Sequence, residues 1–279
     1  MPSQAGTAAG RLKLGTVTYS YLWQTSLDEA IARIAKLGFR TVEIMAAPPH
    51  AWPRDLDAAR RREIRRLCDE LQVTVTALNP TFLDLNLCST NPAIRDETVA
   101  QLCETVDLAA DLGAGAVVVA VGQRHPLIAP PNDWFWKMAR EGISRCLDIC
   151  EKRRVYFALE NAWTVIDRAQ QLMQMVEEID HQWLGICFDV ANAAMVQSPY
   201  DGLYVVADRL IHVHLSDTDY RVWGHNPIGY GVVDFSRVAE ILREIGYKGN
   251  SILELVYPQD ADGGLLRSAA ILEKVGWTR

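Results

Sequence analysis

Two hydrophobic patterns alternate from one end of the chain to the other. Short runs rich in β-branched and other apolar residues predict strands, and longer stretches with apolar residues at three- and four-residue spacing predict amphipathic helices. The predicted strands span residues 12–18, 41–45, 73–78, 116–121, 155–159, 184–188, 211–215 and 252–255. Strands that alternate regularly with helices are typical of βαβ units, so a parallel sheet is expected.

Capping signals mark the ends of several predicted helices. The first helix begins at Ser26, and Glu29 stands three residues later, as in a capping box. Gly38, Gly113 and Gly246 each follow the last apolar residue of a helical stretch, where glycine suits the turn that ends a helix. The next strand begins within a few residues each time, which is typical of the short loops that lead from a helix to a strand.

The strand pattern leaves two main parallel folds, a closed barrel and an open sheet of the Rossmann type. A Rossmann sheet carries Gly-x-Gly-x-x-Gly after its first strand, whereas the segment from Thr18 to Trp23 contains no glycine. The 279 residues suit one barrel domain, and no Pro/Gly/Ser-rich linker divides them. We therefore predict an α/β fold, a single (β/α)8 TIM barrel over residues 11–279 that follows a disordered tail at residues 1–10.

Composition and charge narrow the possible classes of function. Apolar residues make up 49% of the chain and charged residues 23%, as in an ordinary soluble globular protein. The net charge is −7, so nucleic acid is not an expected partner. No apolar run approaches the roughly 18 residues of a membrane span, and the polar start lacks the apolar core of a secretory signal. The six cysteines show no CxxC spacing and are interpreted as buried free thiols, so we expect a cytoplasmic protein.

The loops that follow predicted strands differ from those that precede them. Residues 46–54, 79–92 and 122–135 form long loops rich in aromatic residues or proline, whereas the loops before strands are short. In a TIM barrel the loops after strands collect at the C-terminal rim, where active sites lie. The active site is therefore expected at that rim.

Polar residues interrupt the ends of the last four predicted strands. They are Glu160, Asp189, His214 and Glu254. Alone, each has an ordinary explanation as an ion-pair or helix-capping residue, but in a closed barrel these strand ends converge. A carboxylate that ends an apolar strand must be hydrated, paired or bound to a metal, because an isolated buried charge is costly. Three carboxylates and one imidazole therefore predict a site for one divalent ion, with manganese, cobalt or magnesium fitting better than zinc.

Two further polar residues lie in predicted strands. His212 stands two residues before His214, and we expect it to point to the other face of the strand as a structural histidine. Glu43 lies near the end of strand two, where it either reaches the floor of the pocket or pairs with an arginine of the barrel. Neither residue belongs to the predicted metal site.

Several segments resemble one known family. They are Leu159-Glu160-Asn161, Cys187-Phe188-Asp189, His212-Val213-His214-Leu215-Ser216-Asp217, His225-Asn226-Pro227-Ile228-Gly229-Tyr230-Gly231 and Leu253-Glu254. In their order and spacing they resemble the xylose isomerase-like TIM-barrel superfamily, and more narrowly its sugar phosphate isomerase/epimerase branch. The resemblance implies one divalent ion, commonly manganese, cobalt or magnesium, at the four strand-end positions. It also implies that Glu160 and Glu254 act as acid and base.

The resemblance and the loops also indicate substrate contacts. The predicted substrate-binding residues are Asn192, Arg221, His225 and Trp163. Asn192 occupies a position where several epimerases of the family have histidine. Trp163 is placed to cover the apolar face of a sugar, an interpretation that Trp23 and Trp52 share, with plain loop packing as the alternative. Asn161 is a candidate for orienting a metal ligand.

The predicted function is that of a divalent-metal-dependent sugar isomerase/epimerase. It would act on an α-hydroxy carbonyl of a ketose or keto-sugar by proton abstraction through a metal-bound enediolate. A dehydratase or lyase acting on a β-hydroxy carbonyl or keto-glycoside is the alternative, since elimination starts from the same proton abstraction. Apurinic-site endonucleases of the superfamily carry extra histidines, which are missing after strands three and four and at Asn192. A non-catalytic barrel and a homo-oligomer also stay open.

Overall fold

A closed parallel barrel forms the centre of the molecule. The computed structural model describes residues 10–81, 84–125, 127–162 and 165–279. The barrel strands are β1 (Leu12–Val17), β2 (Thr41–Met45), β3 (Thr74–Asn79), β4 (Ala116–Val119), β5 (Tyr156–Glu160), β6 (Leu184–Asp189), β7 (Leu210–Leu215) and β8 (Asn250–Leu253). Each strand pairs with the next in parallel, and β1 pairs with both β2 and β8, which closes the barrel. The predicted (β/α)8 fold class is confirmed.

Helices cover the outside of the barrel. They are α1 (Leu27–Lys36), α2 (Ala58–Glu70), α3 (Pro92–Leu112), α4 (Asn132–Arg153), α5 (Ala169–Ile179), α6 (Val190–Ala194), α7 (Pro199–Val206), α8 (Phe235–Glu244) and α9 (Ala261–Lys274). Short 3₁₀ turns lie at Tyr19–Tyr21, Pro53–Asp55, Ala207–Arg209 and Pro258–Asp260. The apolar faces of the helices are buried: α1, for example, buries Leu27, Ile31 and Ile34, which recur at the three- and four-residue spacing of one helix face.

Local capping residues set the ends of several helices. Ser26 Oγ accepts a hydrogen bond from the backbone N–H of Glu29 at the start of α1, as the sequence predicts. Gly113 ends α3 with a φ of 83°, a left-handed conformation that side chains rarely adopt. Gly38 and Gly246 also have positive φ values, of 93° and 70°. These turns direct the chain into β2, β4 and β8.

The observed strand limits differ from the predicted ones where polar residues join the ladder. Strands β5 and β6 include Glu160 and Asp189 as their last residues. Strand β8 begins at Asn250, because its pairing with β7 starts at His212, and it ends before Glu254. A further short strand, β9 (Trp277–Thr278), pairs with β1 and was not predicted, because two residues carry no periodic pattern.

The interior of the barrel is filled by small side chains at one level. Ala77, Ala116, Val118, Ala158 and Cys187 form a buried cluster there, separate from the large core between the strands and the helices. Small residues at this level leave room inside the barrel for larger polar side chains from other strands.

The cysteines and the helices can be compared with the composition-based expectations. All six cysteines are free, and all except Cys103 are buried. None of the described helices combines the length and the apolar character needed to cross a membrane. The tail predicted at residues 1–10 lies outside the described residues except for Gly10.

Candidate metal centre and active site

The four predicted ligands meet at the C-terminal end of the barrel. Glu160 and Asp189 are the last residues of β5 and β6, His214 lies in β7, and Glu254 directly follows β8. One potential ligand atom from each of the four lies within 4.8 Å of the others, and all four residues are buried. The structure therefore brings together residues that are up to 94 positions apart in the chain (254 − 160).

The imidazole of His214 lies close to the three carboxyl groups of the cluster. Nδ1 of His214 lies 2.7 Å from Oε1 of Glu160, 3.3 Å from Oε2 of Glu254 and 4.0 Å from Oδ2 of Asp189. Three carboxylates and an imidazole are suitable ligands for a divalent cation. The cluster could therefore hold a metal ion.

The two carboxylate oxygens of Asp189 indicate whether the cluster fits a metal ion. Its Oδ1 accepts a hydrogen bond from the backbone N–H of Asn192, at 2.6 Å, so that Asp189 also caps the short helix α6. Its Oδ2 is buried and has no hydrogen-bond partner. A buried carboxylate oxygen without a partner is costly, and a cation among the four side chains would satisfy it. The donor set and this oxygen both fit a divalent ion.

The orientation predicted for His212, on the face of β7 opposite to His214, is wrong. His212 and His214 point to the same side, because side chains two positions apart in a strand lie on the same face. Nε2 of His212 lies 2.7 Å and Nε2 of His214 lies 3.1 Å from Oε2 of Glu43. Glu43 thus pairs with two histidines and not with an arginine, and His212 is a partner of Glu43 inside the barrel.

Glu43 orients the candidate ligand His214. It is fully buried, and its Oε1 accepts a hydrogen bond from Nδ2 of Asn79 at 2.9 Å. Because Nε2 of His214 faces Glu43, the Nδ1 atom is left to face the cluster. A carboxylate on the remote nitrogen is the usual partner of a metal-binding histidine, since it fixes both the tautomer and the ring. Asn79 also donates to Oε1 of Glu254, at 3.2 Å, and so links Glu43 to a second candidate ligand.

The pKa values of the carboxyl groups reflect burial and crowding. Burial and the nearby Glu254 raise the pKa of Asp189 to about 7, against the attraction of His225. Burial also raises the pKa of Glu160, although His214 opposes the shift. For Glu43 burial acts in the same direction, but the attraction and hydrogen bonds of His214 and His212 hold its pKa well below the usual range. The carboxyl groups of the cluster therefore resist ionising together, and a divalent cation would favour their charged forms.

A cavity opens onto the cluster. Its volume is about 190 Å³, and it is lined by Tyr19, Met45, Asn79, Pro80, Thr81, Glu160, Asn192, Trp223, His225, Glu254 and Val256. Both carboxylates expected to act as acid and base therefore face the same space. The cavity lies at the C-terminal rim, where active sites of TIM barrels are found.

The comparison with known proteins agrees with this geometry. The family model described as xylose isomerase-like TIM barrel matches residues 31–276. The chain belongs to this family. The resemblance read from the motifs is confirmed, and the match covers nearly the whole barrel.

Several proteins that resemble this chain are sugar epimerases. Fructoselysine 3-epimerase of Shigella flexneri is 24% identical over 240 residues, which cover 82% of this chain and 85% of that protein. D-psicose 3-epimerase of Ruminiclostridium cellulolyticum is 24% identical over 242 residues, which cover 83% and 79%. The crystal structure of a D-tagatose 3-epimerase-like protein matches with a TM-score of 0.82 and 26% identity, covering 94% of this chain and 99% of that one. These relatives support an enzyme of the sugar epimerase or isomerase class.

Two predicted substrate-binding residues of this family member line the cavity. Nδ1 of His225 lies 3.0 Å from Oγ of Ser216, 3.2 Å from Oε2 of Glu254 and 3.7 Å from Oδ2 of Asp189. Asn192 donates from Nδ2 to the backbone carbonyl of Asn161, at 3.0 Å. His225 is therefore close to the candidate ligands, and Asn192 forms part of the wall.

Asn161 holds the backbone of one candidate ligand. Its Nδ2 donates to the carbonyl of Asp189 at 2.9 Å, and its Oδ1 accepts from the N–H of Asp189 at 2.8 Å. This pair of bonds fixes the end of β6, where the carboxylate of Asp189 leaves the strand. The role expected of Asn161, orienting a ligand, agrees with these contacts.

Three other residues for which the sequence suggested a substrate contact lie outside the described cavity lining. Arg221 is exposed and is not part of the cavity lining, and Trp23 is 81% exposed outside the lining. Trp52 is partly exposed and also outside it. Trp163 is one of the residues that the structure does not describe.

Two aromatic residues of the lining were not singled out from the sequence. Tyr19 lies four residues before Trp23, in the loop after β1, and Trp223 lies two residues after Arg221, in the loop after β7. The indole Nε1 of Trp223 donates to Oδ1 of Asn192 at 2.9 Å. The sequence analysis singled out Trp23 and Arg221 in these two loops, and it did not identify which residue of each loop lines the cavity.

Proposed function

We propose that this protein is a divalent-metal-dependent sugar isomerase/epimerase that acts on an α-hydroxy carbonyl of a ketose or keto-sugar. The observation that carries the proposal is the convergence of Glu160, Asp189, His214 and Glu254 at the end of a cavity that Glu160 and Glu254 line. Sugar epimerases among the relatives support the reaction class.

The four converging residues would hold the ion, for which manganese is the first choice and cobalt or magnesium the alternatives. Oxygen-rich sites with one imidazole suit these ions better than the thiolate-rich sites that zinc often occupies. When bound, such an ion supplies Lewis-acid polarisation of the substrate carbonyl, which acidifies the adjacent C–H bond.

Glu160 and Glu254 are the proposed acid and base. One carboxylate takes the proton from the carbon next to the carbonyl, and the other returns a proton. Return to the opposite face of the same carbon gives epimerisation. Return to the neighbouring carbon, with a second proton moving from the hydroxyl oxygen that becomes the product carbonyl to the former carbonyl oxygen, gives aldose–ketose isomerisation. Glu254 is oriented for this role by Asn79, which donates to Oε1, while its Oε2 lies 3.2 Å from Nδ1 of His225.

The walls of the cavity would orient the sugar and exclude water from the reacting carbons. Asn192 and His225 are proposed to contact substrate hydroxyl groups, since both line the cavity. Arg221 and Trp163 are retained as proposed substrate contacts from the sequence. For Arg221, contact requires the loop after β7 to fold over the cavity, because the residue is exposed outside the lining.

The proposed compartment is the cytoplasm. All six cysteines are free, and a chain whose cysteines are not paired is typical of a reducing environment. Thiol titration of the unfolded, non-reduced protein should count six cysteines. A count near zero would contradict this assignment.

Solvent-deuterium exchange tests the proposed reaction. The manganese-loaded protein is incubated in D₂O with a panel of ketoses and keto-sugars, and mass spectrometry detects deuterium at the carbon next to the carbonyl. Glu160→Gln and Glu254→Gln should each slow exchange by roughly 10²- to 10⁴-fold even when loaded with metal, because a carboxamide cannot accept the proton. Asp189→Asn should fail mainly through metal loss and recover in excess manganese.

A surface variant, Glu141→Gln on α4, provides the matched control and should exchange at the wild-type rate. Bound metal is measured for every variant, so that loss of the ion is separated from loss of the base. If both active-site Gln variants, fully loaded, exchange as fast as the wild type, then the two glutamates do not move the proton.

A further inference from the structure

The described residues of the cavity lining include no side chain with a fixed positive charge. Among its described residues the ionisable side chains are Glu160, Glu254, His225 and Tyr19, with no lysine or arginine. The residues outside the described part of the chain that follow β3 and β5 in the sequence are uncharged: Phe82, Leu83, Trp163 and Thr164. Two further carboxyl groups are close to the lining, that of the candidate ligand Asp189 and that of Glu43, which pairs with His212 and His214. A phosphate group in this cavity would meet carboxylates without a guanidinium or ammonium partner among the described lining residues, since Arg221 is exposed outside the lining.

Backbone N–H groups could substitute for such side chains, but several of those in the loop after β7 already have an acceptor. In TIM barrels phosphate is often bound by the loops after strands seven and eight and by a helix N-terminus there. Here the carboxylate of Asp217 occupies the corresponding donors. Its Oδ2 accepts from the N–H groups of Gly229 and Gly231 at 2.8 and 2.9 Å, and its Oδ1 accepts from those of Thr218 and Val233 at 2.9 and 3.2 Å.

Gly231 shows how closely this loop surrounds the Asp217 carboxylate. A Cβ atom at position 231 would lie 2.4 Å from Oδ1 of Asp217 and 2.2 Å from the carbonyl oxygen of Thr218. The four N–H groups that Asp217 accepts from therefore point at a buried carboxylate of the same chain. They are not available to an external phosphate.

The helices that follow β7 and β8 are capped by aspartates in the same way. Oδ1 of Asp234 accepts from the N–H groups of Ser236 and Arg237 at the start of α8, at 2.9 and 3.1 Å. Oδ1 of Asp260 accepts from the N–H of Gly263 at the start of α9, at 3.1 Å. Each helix N-terminus thus already has an internal anion, which satisfies donors that an anionic ligand would use.

We propose that the substrate is an uncharged sugar without a phosphate group, and that its carbon skeleton lies against the apolar side of the cavity. The apolar and aromatic residues of the described lining are Tyr19, Met45, Pro80, Trp223 and Val256. Aromatic and aliphatic side chains can cover the C–H face of a sugar, while the polar groups of the cavity bind its hydroxyls. This inference rests on the proposed sugar epimerase or isomerase function and specifies its substrate class.

The test compares sugars that differ only in the phosphate. Manganese-loaded protein, freed of excess metal by gel filtration, is assayed with D-fructose against D-fructose 6-phosphate and with D-ribulose against D-ribulose 5-phosphate. Two quantities are measured for each pair, the rate of solvent-deuterium incorporation and the dissociation constant by calorimetry. We expect kcat/KM for exchange to favour the free sugar by about 100-fold or more, and binding to favour it in the same direction.

A pair of variants tests whether charge is the cause. Val256 lines the cavity and is 44% exposed, so a longer side chain there can extend towards solvent. Val256→Lys should shift the preference towards the phosphorylated sugar by about ten-fold relative to the wild type. Val256→Gln adds a long side chain without the charge and should leave the ratio between the two sugars close to that of the wild type.

The outcomes separate this inference from the proposed function. If the phosphorylated sugars bind and exchange as well as or better than the free ones, the inference is wrong while the proposed function stands. If the free sugars bind preferentially but no sugar exchanges deuterium, the proposed reaction is wrong and the charge preference stands. Failure of every sugar to bind overturns both.

Discussion

The two halves of the barrel contribute different groups to the candidate metal centre. Strands β5 to β8 carry the four potential ligands, Glu160, Asp189, His214 and Glu254. Among the described residues, strands β1 to β4 add none to that set, but Glu43 on β2 and Asn79 on β3 contact two of its members. One half therefore carries the groups proposed for chemistry, and the other half orients them. Support of this kind is needed because a metal site requires its ligands to be held in one geometry.

The largest effect is expected when the half that carries the ligands is changed. Asp189→Ala removes the carboxylate whose Oδ2 has no other partner, so manganese binding should fall below detection in elemental analysis after reconstitution. Asp262→Ala is the control. It removes a carboxylate whose partners are Arg33 and Tyr21 and not residues of the cluster, so this variant should bind manganese normally. Unchanged metal content in Asp189→Ala would contradict the assignment of the site.

A smaller effect is expected when the supporting half is changed. Glu43 accepts hydrogen bonds from three side chains, and a glutamine would present an N–H group to at least one of these donors. Glu43→Gln should therefore weaken metal binding by roughly 10- to 100-fold, as is usual when the partner of a ligating histidine is lost. Calorimetric titration with manganese measures the change, and the circular dichroism spectrum checks that the variant is folded.

Two further variants test the supporting role of Glu43. His212→Gln removes a neighbour of Glu43 that is not itself a candidate ligand in the four-residue cluster, so its metal affinity should fall less than that of Glu43→Gln. Thr76→Ala on β3, whose hydroxyl donates to the carbonyl of Val42, serves as a control outside the network. Equal affinities for wild-type protein and Glu43→Gln would show that the supporting half does not orient His214.

The smallest effect is expected at the wall of the cavity. Trp223→Phe keeps an aromatic face but loses the hydrogen bond from Nε1 to Asn192. Loss of one such bond corresponds to about 0.5–1.5 kcal/mol, so KM should rise by roughly two- to ten-fold with little change in metal affinity. Trp136→Phe, which loses a comparable bond to Glu178 between α4 and α5, is the matched control. If metal affinity in Trp223→Phe fell by as large a factor as KM is expected to rise, this residue would support the metal ion and not the substrate.

The local pattern was sufficient for the fold and for the positions of the four candidate ligands. Alternating strands and helices predicted the parallel barrel, and Glu160, Asp189, His214 and Glu254 each interrupt or end an apolar strand. Strands of a closed barrel end at a common rim, so residues found at corresponding strand ends can be brought together without knowing any distance. The capping residue Ser26 and the glycines at helix ends follow from equally local rules.

Contacts across the barrel were decided only by the tertiary structure. Glu43 and His212 are separated by 169 positions, and no local periodicity relates them. Their pairing depends on how β2 and β7 project side chains into a shared interior. The orientation of His212 follows from the sequence, since residues two apart on a strand share a face. The expectation that His212 points away from His214 did not follow this rule.

The cavity wall shows the same division. The order of the strands, which is a local property, predicts that the loops after the strands reach the rim. Which aromatic side chain turns inward depended on partners from other loops: Trp223 is held by Asn192 of α6, while Trp23 stays 81% exposed. A loop residue has no regular side-chain direction, so only packing and hydrogen bonding in the folded molecule decide whether it meets the substrate or the solvent.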